Sequence, residues 1–258
     1  MTNIFKAMLS AGFCVAATAA ASQSLTGGDV TATYGGLTDS DYDASGYNLS
    51  ASGEIGFDRV FALQGDLSYT DTDLGLLSSD TIAFTGHAIY HANEFASFGM
   101  YYGQESSDGD DLKYYGVEGG YEAAQLKVEG YFGISAIDLG DAFAGTDFAA
   151  DGAIIGDFEL NQAGVQVGYD VNEMFTVMGR YDQIHFTDAL SFDRIGAGVS
   201  ADLGNNIGLS AELGRLSTDI AGLSDDVTYA NIGATYTFGA ERGATFGARD
   251  SAHTLTGF

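Results

Sequence analysis

From residue 28 to residue 238, apolar and polar side chains alternate with a period of two almost without interruption, and helical spacing is scarce. Over 125–136, Leu126, Val128, Gly130, Phe132, Ile134 and Ala136 share one face, while Gln125, Lys127, Glu129, Tyr131, Gly133 and Ser135 share the other. The stretches 47–57, 61–69 and 194–203 repeat the pattern. Successive residues of a strand point to opposite sides of a sheet, so this alternation describes strands with one greasy and one wet face. Twelve segments can be bounded, at about 28–36, 45–57, 60–71, 80–91, 95–105, 111–121, 124–138, 157–170, 174–186, 190–203, 206–217 and 227–238. Most of them run 9–14 residues, near the ~9–11 that a tilted strand needs to cross a bilayer.

Two further signals say how such strands close. No later stretch approaches the ~20 apolar residues of a membrane helix, and only helices and closed barrels satisfy every backbone polar group in hydrocarbon. The connections also alternate in length. Asp58-Arg59, Ala92–Glu94, Glu122-Ala123, Val171–Glu173 and Gly204-Asn205 are tight, whereas Leu37–Ala44, Thr72–Ser79, Glu105–Asp110, Leu139–Gly156 and Thr218–Asp226 are longer and mostly acidic. Short periplasmic turns facing longer external loops are the asymmetry of bacterial outer-membrane barrels. A soluble β-sandwich shares the period, but its inner face is richer in large aliphatics and its turns use proline; this chain has 37 Gly and no Pro. The expected fold is therefore all-β, a transmembrane antiparallel up-and-down β-barrel of about twelve strands over 22–238. Aromatic girdles are expected from Phe57, Phe61, Tyr90, Phe95, Tyr121, Tyr169 and Phe175 at the short turns, and from Tyr69, Tyr102, Tyr115 and Tyr181 toward the long loops.

Composition limits the function. Against 36 acidic residues stand 9 basic ones, a formal net charge of -27, so no basic face is offered to nucleic acid. A hydrophobic share of 45% is too high for a disordered acidic chain, and a single Cys excludes a disulfide scaffold. Met1–Ala21 reads as a secretory signal peptide: Lys6, an apolar run over 7–21, and the small-residue site Ala19-Ala20-Ala21. That run is too short and too rich in Ala, Ser and Thr for a spanning anchor, and Phe13 before Cys14 argues against a lipoprotein signal. Cleavage removes Lys6 and no acid, leaving 36 acids against 8 bases, or -28.

The last strand, Asn231-Ile-Gly-Ala-Thr-Tyr-Thr-Phe238, resembles the assembly signal of Gram-negative outer-membrane proteins, with Asn231, Gly233, Tyr236 and Phe238 in the polar, glycine and two aromatic places. The resemblance implies recognition by the barrel-assembly machinery. Over most of 22–238 the chain resembles bacterial porins, particularly the acidic, glycine-rich alphaproteobacterial type; Gly168–Tyr181 has that family's strand–turn–strand style. The resemblance implies passive diffusion of small hydrophilic solutes and ions, contact with outer-membrane lipid and lipopolysaccharide, and a homotrimer. Two features depart from it. General porins have sixteen strands and a pore loop after the fifth; here the count is twelve, and 139–156 is the longest loop and the candidate constriction. Residues 239–258 run past the strand end. They are expected to form a periplasmic tail, because Arg249-Asp250-Ser-Ala-His253 breaks any lipid face, with a late strand ending at Phe258 as the alternative.

If apolar residues face lipid, parity alone names the inward set. It includes Glu54, Asp66, Glu118, Glu129, Asp182 and Glu212, with Lys127, Arg180 and Arg194. These are the expected pore-lining residues, since charged side chains on a pore wall are how channels select ions. A hairpin centred near Thr187 would set Arg180 opposite Arg194, with Asp182 as a local partner. The acidic excess predicts cation preference. External acids at Asp39–Asp43, Asp108–Asp111 and Asp225-Asp226 are candidates for divalent cations, although the first lacks the Gly and terminal Glu of an EF-hand loop and plain solvation explains all three.

No enzyme is expected. His185 lies three residues from Asp182 and Asp188, a spacing that puts His and Asp on opposite strand faces, and no P-loop, zinc-ligand pair or dinucleotide fingerprint is present. The alternative to a porin is a structural or surface-interaction barrel with a blocked lumen.

Overall fold

The computed structural model describes residues 24–38, 44–57, 60–73, 78–107, 110–137, 158–186, 190–220, 223–239 and 243–251. The signal segment 1–21, the 139–156 loop, Asp39–Asp43, Asp108 and the last seven residues lie outside them. Twelve strands follow one another: β1 (Ser24–Leu37), β2 (Ser45–Phe57), β3 (Phe61–Asp73), β4 (Ser78–His91), β5 (Ala96–Ser107), β6 (Asp110–Ala123), β7 (Leu126–Ile137), β8 (Phe158–Asp170), β9 (Phe175–Phe186), β10 (Leu190–Asp202), β11 (Ile207–Ile220) and β12 (Leu223–Gly239). Each pairs antiparallel with its neighbours in sequence, and β1 pairs β12, closing the barrel from Gly27↔Gly239 to Leu37↔Tyr229. Closure leaves neither strand with a row of bare amides and carbonyls, which hydrocarbon would not tolerate.

Alternation sets the two faces. Phe84, Phe98, Met100, Val117, Phe132, Ile195, Leu213 and Ile232 point outward and are exposed, whereas Asn48, Gln64, Asp66, Thr85, His87, Glu118 and Gln162 point inward and are buried. Phe61, Tyr90, Phe95, Tyr121, Tyr169 and Phe175 ring the short-turn rim on the outside, and Tyr102, Tyr115 and Tyr181 lie on the same outer face. The short turns are held locally. Asn93 Oδ1 accepts from the amides of Phe95 and Ala96, Asn172 Oδ1 repeats this with Met174 and Phe175, and Asp202 Oδ1 accepts from Gly204. At the long-loop side the β11–β12 hairpin runs on to Ile220↔Leu223, so β12 starts at Leu223 rather than 227. Its added pairs, such as Ser217↔Asp226 and Asp219↔Ser224, are polar, so no apolar face marks them in the sequence.

The inward glycines explain how a twelve-strand lumen holds large side chains. Tyr101 faces Gly116, Tyr114 faces Gly103, Tyr131 faces Gly164 and Tyr229 faces Gly214 across paired strands. In each case the ring lies over the bare backbone of the glycine opposite. A Cβ on Gly103 would sit 2.3 Å from the Tyr114 ring, and one on Gly214 2.4 Å from that of Tyr229. The outward Gly65 and Gly179 have nothing within 4 Å of such an atom.

The chain beyond β12 corrects the expectation of a periplasmic tail. Gly239 (φ 81°) and Gly243 (φ 76°) adopt left-handed conformations. Such values favour glycine. Residues 243–251 then run inside the barrel. A side chain on Gly27 would block them, because its Cβ would fall 1.9 Å from the Gly243 carbonyl oxygen. The reason is hydrogen-bonding capacity: an acid-rich inner wall offers acceptors to the amides of this segment and to Arg249.

Gly103→Val and Gly214→Val are each expected to destabilise the barrel by about 1–3 kcal/mol through overpacking against tyrosine. Gly65→Ala and Gly179→Ala should stay within about 0.5 kcal/mol of the parent. Urea unfolding in lipid vesicles, followed by tyrosine fluorescence, measures all four.

Candidate functional site

Two polar clusters and a tail segment fill the lumen. The first is built on β7–β12. Arg194, buried, donates from Nε to Tyr229 Oη at 2.9 Å and from Nη2 to Glu212 Oε1 at 2.9 Å. Its guanidinium carbon lies 5.0 Å from the centre of the Tyr229 ring, and the Tyr229 hydroxyl donates to Glu212. Arg180 donates from Nη2 to Gln166 Oε1 at 2.6 Å, and its Nε lies 3.9 Å from Asp182 Oδ2 and 4.0 Å from Glu212 Oε2. Tyr131 donates to Asp182 Oδ1 at 3.0 Å.

Arg180 and Arg194 are not opposite each other. The β9–β10 register pairs Arg194 with Asp182 and Arg180 with Gly196, because Phe186↔Leu190 closes a hairpin centred on residue 188. Each arginine thereby faces an acid or a glycine instead of a like charge, the arrangement a low-dielectric wall favours.

The second cluster spans β3–β7. His87 sits between two carboxylates, with Nε2 2.7 Å from Asp66 Oδ2 and Nδ1 2.6 Å from Glu118 Oε1, all three side chains being buried. Both ring nitrogens of His87 are thereby placed against carboxylate oxygens. Against this cluster lies the tail. Glu54 Oε2 accepts from the Thr245 amide at 3.0 Å, Gln64 exchanges two bonds with the Phe246 backbone at 2.7 and 3.1 Å, and Glu129 Oε1 accepts from the Gly247 amide at 3.1 Å. Thr85 donates to the Arg249 carbonyl at 3.1 Å, and Glu105 accepts from the Ser251 amide at 2.8 Å. The Phe246 ring packs with Ala62 and Ile89 and stacks 6.4 Å from His87. Arg249 donates from Nε to Glu118 Oε2 at 3.1 Å and from Nη2 to Glu129.

What space remains is narrow and polar. A cavity of about 260 Å³ separates residues 246–250 from the β1–β2 and β7–β9 walls, lined among others by Asp29, Ser52, Glu129, Gln166, Arg180 and Asp182. A second, of about 270 Å³, opens near the short-turn rim beside Lys127, Glu122 and Ala244. Glu129 and Gln166 line both. Water and small ions fit such cavities; a bulky solute does not.

The residues expected to line a pore are thus distributed unequally. Arg180, Asp182 and Glu129 meet the cavity of about 260 Å³. Glu54, Asp66 and Glu118 are buried, the first and last bonded directly to the tail. Arg194 and Glu212 bind each other. Lys127 stands at the rim, half-exposed, 3.8 Å from Glu122 and 3.7 Å from Asp170. Asn231 and Gly233 of the last strand face inward, while Tyr236 faces out. Of the external acids, Asp226 accepts from Arg215 and Ser217, and Asp225 from the Asp226 amide. His185 falls on the outward face of β9, away from Asp182.

Sequence reasoning missed Arg249, Phe246, Gln64 and Tyr131 as parts of one site. One signal was present: Gly243-Ala-Thr-Phe246 repeats Gly233-Ala-Thr-Tyr236 of the last strand, and a lone arginine follows it in a chain short of bases.

No protein-family profile matches the sequence, and no curated protein does. Solved structures do share the fold. The barrel is similar to a KdgM porin at TM-score 0.55 and 11% identity, over 81% of this chain and 99% of that one; another KdgM structure is described in complex with disordered oligogalacturonate. It is similar to a NanC porin at TM-score 0.58 and 10% identity, over 81% and 98%. With the COG4313 outer membrane channel from Pseudomonas putida F1 the TM-score is 0.59 at 11% identity, over 83% and 96%.

Removing one partner of the inner-wall ion pair should be costly. Arg194→Ala leaves Glu212 in a largely dry setting, at an expected loss of about 3–5 kcal/mol. Arg215→Ala, which breaks the exposed pair with Asp226, should cost under about 1 kcal/mol. Denaturant midpoints of the two variants in micelles give the comparison.

Proposed function

We propose that this protein is an outer-membrane channel of porin type that passes small hydrophilic solutes and ions, with a preference for cations. The carrying observation is the closed wall, apolar outside and polar within, enclosing polar cavities beside the tail. Three of the solved structures it resembles in fold are titled porins or a channel, which supports the reading. Asp29, Glu129, Asp182 and Asp250 border the 260 Å³ cavity against Arg180 and Arg249, so its acids outnumber its bases. Acidic walls in low dielectric concentrate cations. A polyanion such as oligogalacturonate, the ligand described for KdgM, suits this lumen poorly. The last strand, with Asn231, Gly233, Tyr236 and Phe238, is the segment we assign to the assembly machinery. Lipopolysaccharide contact, divalent cations at the outer acids and a homotrimer belong to the same reading.

The tail favours a second reading, a barrel whose lumen its own C-terminal segment keeps shut. Planar-bilayer recordings separate the two. The channel reading predicts small single-channel currents with potassium more permeant than chloride, and liposomes that swell in small sugars but not in a trisaccharide. Silent bilayers and unswollen liposomes would favour the closed barrel; a chloride preference would contradict the acidic-wall argument.

A further inference from the structure

Arg249 reaches its place in the lumen from a segment outside the wall, beyond two left-handed glycines, whereas the groups that hold it stand on β6 and β7 of the closed sheet. The Glu118 carboxylate takes both Nε at 3.1 Å and Nη2 at 3.0 Å, Glu129 takes Nη2 as well, and the Tyr131 ring lies 4.4 Å from the guanidinium carbon. A planar fork between two carboxylates, laid on an aromatic face, is guanidinium chemistry; an ammonium carries all its donors on one atom and has no flat face to stack. Three residues earlier, Phe246 occupies a slot that Gly99 and Gly120 keep open, since a Cβ there would fall 2.8 and 3.3 Å from its ring. Between them the wall bonds the backbone at Thr245, Phe246, Gly247 and the Arg249 carbonyl. The inner wall therefore treats the tail as an extended peptide, with an aromatic slot and an arginine slot in fixed register. Both slots open on the 260 Å³ cavity, which Glu129, Tyr131, Phe246 and Arg249 line together.

We infer that the Glu118–Glu129–Tyr131 pocket is a guanidinium-binding site of the lumen, filled in this structure by the chain's own Arg249, and that once vacated it takes the side chain of arginine or of an arginine-bearing peptide. The inference rests on the channel reading for the route by which such a solute arrives. Its physical reason is what vacancy leaves behind: without Arg249, the buried Glu118 shares only His87 with Asp66, and Glu129 loses its cation. A carboxylate stripped of its partner in a dry wall is costly, and a replacement cation relieves that cost. Lysine-bearing solutes carry the same charge but lack the fork.

The test uses the full chain carrying Arg249→Ala in detergent, with N-acetyl-arginine amide as probe and calorimetric titration as readout. Retained heat-modifiable migration on gels shows that the barrel is folded, and Arg249→Gln serves if the alanine variant is not. Saturable binding is expected, at least ten-fold tighter than for N-acetyl-lysine amide or for the parent chain, and lost on adding Glu118→Gln. Equal affinity for the two amides, equal affinity of parent and variant, or no binding would overturn the site. Bilayer currents report separately on the channel. Binding without current would sink the channel reading and keep the site, and current without binding would do the reverse.

Discussion

The hydrogen bonds between β1 and β12 are the contact on which everything else in this molecule depends. Every strand of the sheet has two partners only because Gly27–Leu37 lies against Tyr229–Gly239. Were that seam open, two rows of backbone amides and carbonyls would meet lipid at a cost of several kcal/mol for each unpaired group. The seam also fixes the sidedness of the wall. A register slip of one residue would send Thr31 and Thr33 into lipid and Ala32 and Tyr34 into the lumen.

With the wall closed, the interior becomes the problem to be solved. Twelve strands enclose more space than short polar side chains can fill, and the chain fills it in two ways. Tyrosines lean over glycines on neighbouring strands, and the segment 243–251 is drawn in against Gln64 of β3 and the acids of β2 and β5–β7. The acids of the inner wall provide the acceptors that hold the tail. Occlusion thus has its origin in the surplus of carboxylates, and the cavity beside Glu129 and Arg180 is what the filling leaves open.

Most of the wall was legible in the sequence because a strand's two faces are written into alternate residues. Segments such as 45–57 and 157–170 stand within a residue of β2 and β8, and the inward parity of Glu54, Asp66, Glu118 and Asp182 follows from the same rule. Strand ends above the membrane were less legible, since Ser217–Asp219 pair with Ser224–Asp226 where both faces meet water. Cross-strand neighbours were harder again: moving the β9–β10 hairpin centre from 187 to 188 replaces an Arg180–Arg194 encounter with Arg194–Asp182. The tail was illegible as a lumen element. Its placement is decided by acceptors on five other strands, none adjacent in sequence, and the charge of Arg249 read as a bar to lipid without disclosing Glu118 and Glu129 as its partners.

The seam itself is open to direct measurement. Thr31 and Thr235 are partners across it, with their hydroxyls 2.9 Å apart inside the barrel. In a chain also carrying Cys14→Ser, the pair Thr31→Cys and Thr235→Cys should oxidise to an intramolecular disulfide. It would give a reductant-sensitive shift in the migration of the heat-denatured protein, as should the hairpin control Ser50→Cys with Ser68→Cys. A control that cross-links beside a seam pair that does not would mean an open sheet, and with it no sealed lumen.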